Sequence, residues 1–84
     1  MNESYKRVWL RALRNGTHMT QTEAATAAGI SLDHYQNIEY GKRNPSKRVA
    51  ARLSKLLGFP VEFFDVDLDA FKHREVIVVL YKGK

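Results

Sequence analysis

Cysteine is absent from the 84-residue chain, which excludes a disulfide-stapled secreted fold and suits a reducing compartment. No apolar run approaches the roughly 20 residues that a membrane span needs, and Met1 to Tyr5 is polar, so neither a transmembrane helix nor a signal peptide is expected. A soluble protein of the cytoplasm is the consequent expectation. Also lacking are a glycine-rich phosphate loop and a nucleophile beside an evident base. His18, His34 and His73 are dispersed, without metal-ligand spacing. These absences argue against an enzyme, a metal centre or a bound cofactor, and a chain this short leaves little room for a closed pocket.

What is present is positive charge, unevenly spread. The net charge is +5, and residues 1–64 carry ten Lys and Arg against five Asp and Glu, whereas residues 65–84 carry four of each. The whole excess therefore lies in the first part of the chain. Many small domains are basic, so charge alone decides little; a basic helical region is nevertheless what a polyanion requires.

Thr20 to Gly41 reads as two short helices joined by a tight turn. Thr20 is placed to cap the first, with Glu23 three residues on to complete a capping box. Alanines carry that helix at low side-chain entropy cost. Gly29 can take the left-handed conformation that stops it, Ile30 tucks into the bend, and Ser31 caps the second helix, which ends at Gly41. This is a helix-turn-helix, whose second helix is typically laid into the DNA major groove.

Around it, Asn2 to Arg14 reads as a helix with Tyr5, Val8, Trp9, Ala12 and Leu13 on a buried stripe, Lys6, Arg7 and Arg11 on the other side, and Asn15 and Gly16 as its break. Trp9 is either a binding aromatic or core, and small Ala24, Ala25 and Ala28 favour core. After the basic loop Lys42-Arg43-Asn44, Asn44 can cap and Pro45 can begin a helix that runs to Leu57, with Gly58 as its stop. A fifth short helix over Pro60 to Asp65 is expected to bury Val61 and Phe64.

From Val66 the composition changes, and Val76, Ile77, Val78, Val79, Leu80 and Tyr81 form a β-branched run that reads as a strand, within 75–82. Both of its faces are apolar, and no second strand is evident to pair with it. Either it pairs antiparallel with its copy across a two-fold axis, or it folds back alone onto the helices or is helical in context. The first solution makes residues 66–84 a dimerisation extension on a domain spanning 1–65.

The stretch from Leu10 to Asp65 resembles the helix-turn-helix domain shared by phage repressor and Cro proteins and by Xre-type bacterial regulators. The resemblance rests on Leu10, Arg14, Thr20-Gln21, Glu23, Ala25, Gly29-Ile30-Ser31, Ile38-Glu39-Tyr40-Gly41-Lys42-Arg43, Pro45 and Leu57-Gly58. It implies a mainly α, five-helix bundle and a partly buried ion pair between Arg14 and Glu39. It also implies a phosphate contact from Gln21, which would steady side chains of the third helix. Ala24 departs from the usual pattern, where a larger aliphatic residue stands.

The outward positions of the third helix are Ser31, Leu32, Asp33, His34, Gln36 and Asn37, with Tyr35 and Ile38 facing the core. Leu32, Asp33, Gln36 and Asn37 are the candidates for base edges: Gln or Asn can pair with adenine, Asp can accept from cytosine, and Leu can pack on a thymine methyl. Asp33 could equally serve only the helix dipole. Gln21, Ser31, His34, Tyr40, Lys42, Arg43 and Asn44 are candidates for the DNA backbone. Lys47 and Arg48 read as solvated helix charges. One such helix reads few base pairs, so a homodimer on a palindromic operator is expected, in a bacterial or phage-infected cytoplasm. The rival reading is an antitoxin-like or phage regulatory interaction module whose apolar strand binds a different protein.

Overall fold

The computed structural model describes residues 7–65. They form four α-helices, α1 (Val8–Gly16), α2 (Gln21–Ala28), α3 (Leu32–Tyr40) and α4 (Lys47–Leu57), followed by a 3-10 helix at Val61–Asp65. The expected strand at Val76 to Tyr81, and Tyr5 of the expected first stripe, lie outside the described residues. The helical part of the five-helix expectation is corrected at its end, since the fifth element is a 3-10 helix and not an α-helix.

The helix boundaries follow local chemistry. The capping box is formed: the Glu23 amide donates to Thr20 Oγ1 at 3.0 Å and the Thr20 amide to Glu23 Oε1 at 2.9 Å. Gly29 adopts φ 77°, the left-handed conformation that favours glycine, and a Cβ there would displace the Arg52 Nη1 end that lies 2.6 Å away. The Ile30 amide closes the turn onto the Ala25 carbonyl at 3.0 Å, as the Lys42 amide does onto Asn37 at 2.9 Å behind Gly41.

Two boundaries differ from expectation. Asn15 and Gly16 remain helical, and the chain leaves α1 through Thr17, whose amide bonds the Leu13 and Arg14 carbonyls, and His18 at φ 61°. Ser46, not Asn44, caps α4, accepting from the Val49 amide at 3.2 Å, and Pro45 precedes the helix. Asn44 is engaged instead by Arg7.

The core is built from Trp9, Leu10 and Leu13 of α1, the three alanines of α2, Tyr35 and Ile38 of α3, and Val49, Leu53 and Leu57 of α4. Ala24 is fully buried, so the small residue that departs from the family pattern lies inside this core. Trp9 is 2% exposed, and its ring meets Phe59, Phe63 and Phe64 edge-on at centroid distances of 5.1, 5.4 and 5.3 Å. Trp9 is thus core. Val61, expected inside, is 40% exposed; the inward positions are taken by Phe59 and, half-buried, by Phe63 and Phe64. Phe63 and Phe64 both meet the tryptophan ring, while Val61 stays outside. Among the described residues no helix is long and apolar enough to cross a membrane.

Candidate nucleic-acid interface

Behind α3 lies a buried carboxylate. Glu39 is fully buried, and Arg14 Nε donates to its Oε2 at 2.5 Å, with Nη2 to Oε1 at 3.4 Å. The ion pair implied by the resemblance is therefore formed, and it is buried on both sides, Arg14 being 7% exposed. The Tyr35 hydroxyl donates to Oε2 at 2.6 Å and Gln21 Nε2 to Oε1 at 3.1 Å. Three helices thus converge on one carboxylate. Burial works against the Arg14 cation, but the hydrogen bond and charge of Glu39 more than offset it and hold the guanidinium pKa above its ordinary value. The Tyr35 phenol is raised first by burial and then by the Glu39 charge and hydrogen bond.

The outward side of α3 carries the candidate reading residues. Ser31, Leu32 and Asp33 are exposed, with Leu32 39% accessible; His34, Gln36, Asn37 and Tyr40 are half-buried. The spacing of Leu32, Asp33, Gln36 and Asn37 places them on one helix face. Ser31 Oγ accepts from the His34 amide at 3.0 Å as the N-cap, leaving its hydroxyl hydrogen to donate. Asn37 Nδ2 approaches Asp33 Oδ2 at 3.4 Å, one turn apart, so these two side chains present themselves jointly. Gln36 Nε2 donates to Gln21 Oε1 at 3.0 Å, which seats Gln21 between Gln36 and Glu39.

Lys42, Arg43 and Asn44 follow α3 as an exposed loop. A residue assigned from sequence merely to the polar side of α1 holds that loop in place. Arg7 Nη1 donates to the Ile38 carbonyl at 2.7 Å and the Arg43 carbonyl at 3.0 Å, Nη2 donates to Asn44 Oδ1, and the guanidinium lies 5.3 Å from the Phe64 ring centroid. A cation at the carboxyl end of α3 also favours the helix dipole. Arg52 acts similarly on α2, donating from Nη1 to the Ala28 carbonyl at 3.1 Å. Both arginines reach partners 24 to 37 residues away, and no local sequence signal marks either contact.

Among the described residues no group of three His, Cys, Asp or Glu side chains could hold a metal ion. Residues 10–64 match the helix-turn-helix family. The chain is 39% identical over 62 residues to YqaF of Bacillus subtilis (strain 168), an uncharacterized HTH-type transcriptional regulator, covering 74% of this chain and 82% of the relative. It is 33% identical over 66 residues to the ImmF control region 10 kDa protein of Bacillus phage phi105, covering 79% of this chain and 66% of that protein. No solved structure gives a significant match.

Two stability outcomes follow from the Glu39 network. Arg14→Met leaves a buried carboxylate unpaired and is expected to cost about 3–5 kcal/mol in urea unfolding. Adding Glu39→Gln removes the charge while keeping an acceptor for Tyr35 and Gln21, and should recover more than half of that loss. The second outcome concerns alkali. The unfolded chain gives up the Tyr35 proton near pH 10 while the folded chain retains it. The contribution of Tyr35 is then full below about pH 10 and declines above it, with a slope approaching about 1.4 kcal/mol per pH unit. Denaturant midpoints taken from pH 8 to pH 11 should fall less steeply for Tyr35→Phe than for the native sequence.

Proposed function

Because the chain belongs to the helix-turn-helix family of the Xre and Cro type, we propose that it is a sequence-specific double-stranded DNA-binding regulator acting as a homodimer on a palindromic operator. The observation that carries this reading is the arrangement of α3: its inner face is anchored by a buried ion pair and hydrogen bonds, while its outer face leaves Leu32, Asp33, Gln36 and Asn37 toward solvent. A helix of nine residues held in this way fits the major groove, with base edges in reach of those four side chains. Gln21, Ser31, His34, Tyr40, Lys42, Arg43 and Asn44 contact the DNA backbone and set the register. Gln21 does so with its backbone amide at the start of α2, since its side-chain amide is engaged with Glu39 and Gln36.

The role of regulator, acting by occupying an operator as a repressor does, draws support from the similarity to a transcriptional regulator and to a phage control-region protein. A single α3 reads only a few base pairs, and two copies on half-sites one helical turn apart supply the remaining specificity. The apolar run Val76, Ile77, Val78, Val79, Leu80 and Tyr81 is the segment proposed to join the two copies, with residues 66–84 as the dimerisation extension.

Selection from a random duplex pool, followed by titration of the selected and a random duplex at two salt concentrations, tests the whole reading. Affinity for both should fall steeply with salt, and the selected sequence should be two-fold symmetric. Gln36→Ala and Asn37→Ala should each lower affinity for the selected duplex by about 1–3 kcal/mol while barely changing random binding; equal losses on both would remove their base-reading role. Val78→Asp should halve the sedimentation mass of the native protein, and an unchanged mass would rule out the strand as the dimer contact.

A further inference from the structure

A groove of about 430 Å³ opens between the start of α4 and the 3-10 helix. Its walls include Ala50, Ala51, Val61 and Phe64, and its charged lining residues are Lys47 and Asp65. The space exists because α4 presents two consecutive small residues, Ala50 and Ala51, on this side, while Phe63 and Phe64 turn their rings to Trp9. Val61 is left 40% exposed on the groove wall. Among the described residues no buried side-chain nitrogen or oxygen lacks a hydrogen-bond partner, so no buried polar group is held out for a small polar ligand. An apolar cavity of about 150 Å³ takes one benzene ring, which gives this groove room for about two or three large apolar side chains.

We propose that the groove is the docking site of the segment that follows it in the same chain, Val66-Asp67-Leu68-Asp69-Ala70-Phe71, with Leu68 seated against Ala51 and Val61. Asp65, the last described residue, itself lines the groove, so the segment starts at the site it is to occupy. A chain spans at most about 3.3–3.6 Å per residue, which keeps Leu68 within roughly 11 Å of Asp65 wherever it goes. So short a tether gives the segment a local concentration in the millimolar range or above, which a free partner would have to match. In an extended chain Val66, Leu68 and Ala70 share one side and Asp67 and Asp69 the other. Laid with its apolar side on the groove, the segment keeps both acids in water, on a domain whose residues 1–64 carry ten Lys and Arg against five Asp and Glu. Surface ion pairs contribute little, so the charges orient the segment and the apolar contact holds it. Val61, expected from the sequence to be buried, gains its cover in this way. The docking is independent of base reading by α3 and of the joining of two copies. It fixes only the place beside α4 from which the residues after Phe71 leave the domain.

The chain contains no cysteine, so a pair of introduced thiols reports this contact alone. Ala51→Cys with Leu68→Cys is equilibrated in a glutathione redox buffer and compared with Arg48→Cys with Leu68→Cys, Arg48 being exposed on α4 outside the groove lining. Circular dichroism identifies the folded variants, and denaturing electrophoresis without reductant separates closed single chains from linked dimers. A disulfide needs Cα atoms about 4.4–6.8 Å apart, so the 51–68 pair should close within one chain about tenfold more favourably than the 48–68 pair, or better. Val61→Ser and Val61→Asp, both at an exposed position, should each remove most of that advantage. Proximity set by the tether alone would give the two pairs similar equilibria and make closure indifferent to residue 61; either result would overturn the proposal. Linked dimers in place of closed single chains would overturn it as well, by assigning the groove to a second copy.

Discussion

A carboxylate that sees no water is the constraint on which this small domain turns. Glu39 takes donors from Arg14 of α1, Gln21 of α2 and Tyr35 of its own helix, so the relative placement of three helices is written in hydrogen bonds with definite directions. Desolvating two charges costs several kcal/mol per ion, and the pair is not to be counted as a large net gain. Its contribution is geometric. The α2 face that meets the core presents Ala24, Ala25 and Ala28, small residues whose smooth surface gives apolar packing little grip on the angle between helices. Directional bonds to a buried acceptor supply the register that such a surface lacks.

The parts of the fold that depend on neighbours in sequence were legible from residues alone. Thr20 and Glu23 form their box three residues apart, and Ser31 and Gly29 act within one turn of their partners, so residue type and spacing carry the information. Arg14 and Glu39, 25 positions apart, became legible only through resemblance to a family whose pattern pairs them. Arg7 and Arg52 had neither local signal nor pattern, and both cap helix ends that belong to other elements. The exchange of Val61 for Phe59 in the core has a different cause. Phe59 lies in the connection between the Gly58 stop of α4 and the 3-10 helix, where no helical spacing marks a core position, yet its ring meets Trp9. Of the candidate interface, residue types and the helix face were readable in advance; the engagement of Gln21 with Gln36 and of Asn37 with Asp33 required the fold.

Arg7 and Glu39 act on opposite sides of the same helix end. The Arg7 amide donates to the Glu39 carbonyl at 3.1 Å while its guanidinium holds the Ile38 and Arg43 carbonyls, so α1 fixes both the close of α3 and the loop that follows. Lys42 and Arg43 are consequently carried on a backbone with few ways to move, although their side chains are exposed. In the proposed complex, exposed cations on a fixed backbone would meet phosphates at a set distance from the outward face of α3. The same cations on a slack loop would neutralise phosphates equally well and say nothing about register.

Rigidity of this kind has a stronger reason in the proposed dimer than in one copy. Two reading helices on adjacent turns stand roughly 34 Å apart, so each lies about 17 Å from the two-fold axis. A rotation of about 10° at that distance moves a side chain by about 3 Å, close to one base-pair step at roughly ten base pairs per 34 Å turn. Apolar packing against alanines tolerates small rotations at little cost, whereas the Arg14–Glu39–Tyr35 contacts lose hydrogen-bond geometry over a few tenths of an ångström. The buried network therefore holds α3 against the rotations that alanine packing alone would allow. Through the Gln21 amide the same carboxylate reaches Gln36, so the angle of the helix and the seating of a side chain on its outward face depend on one group.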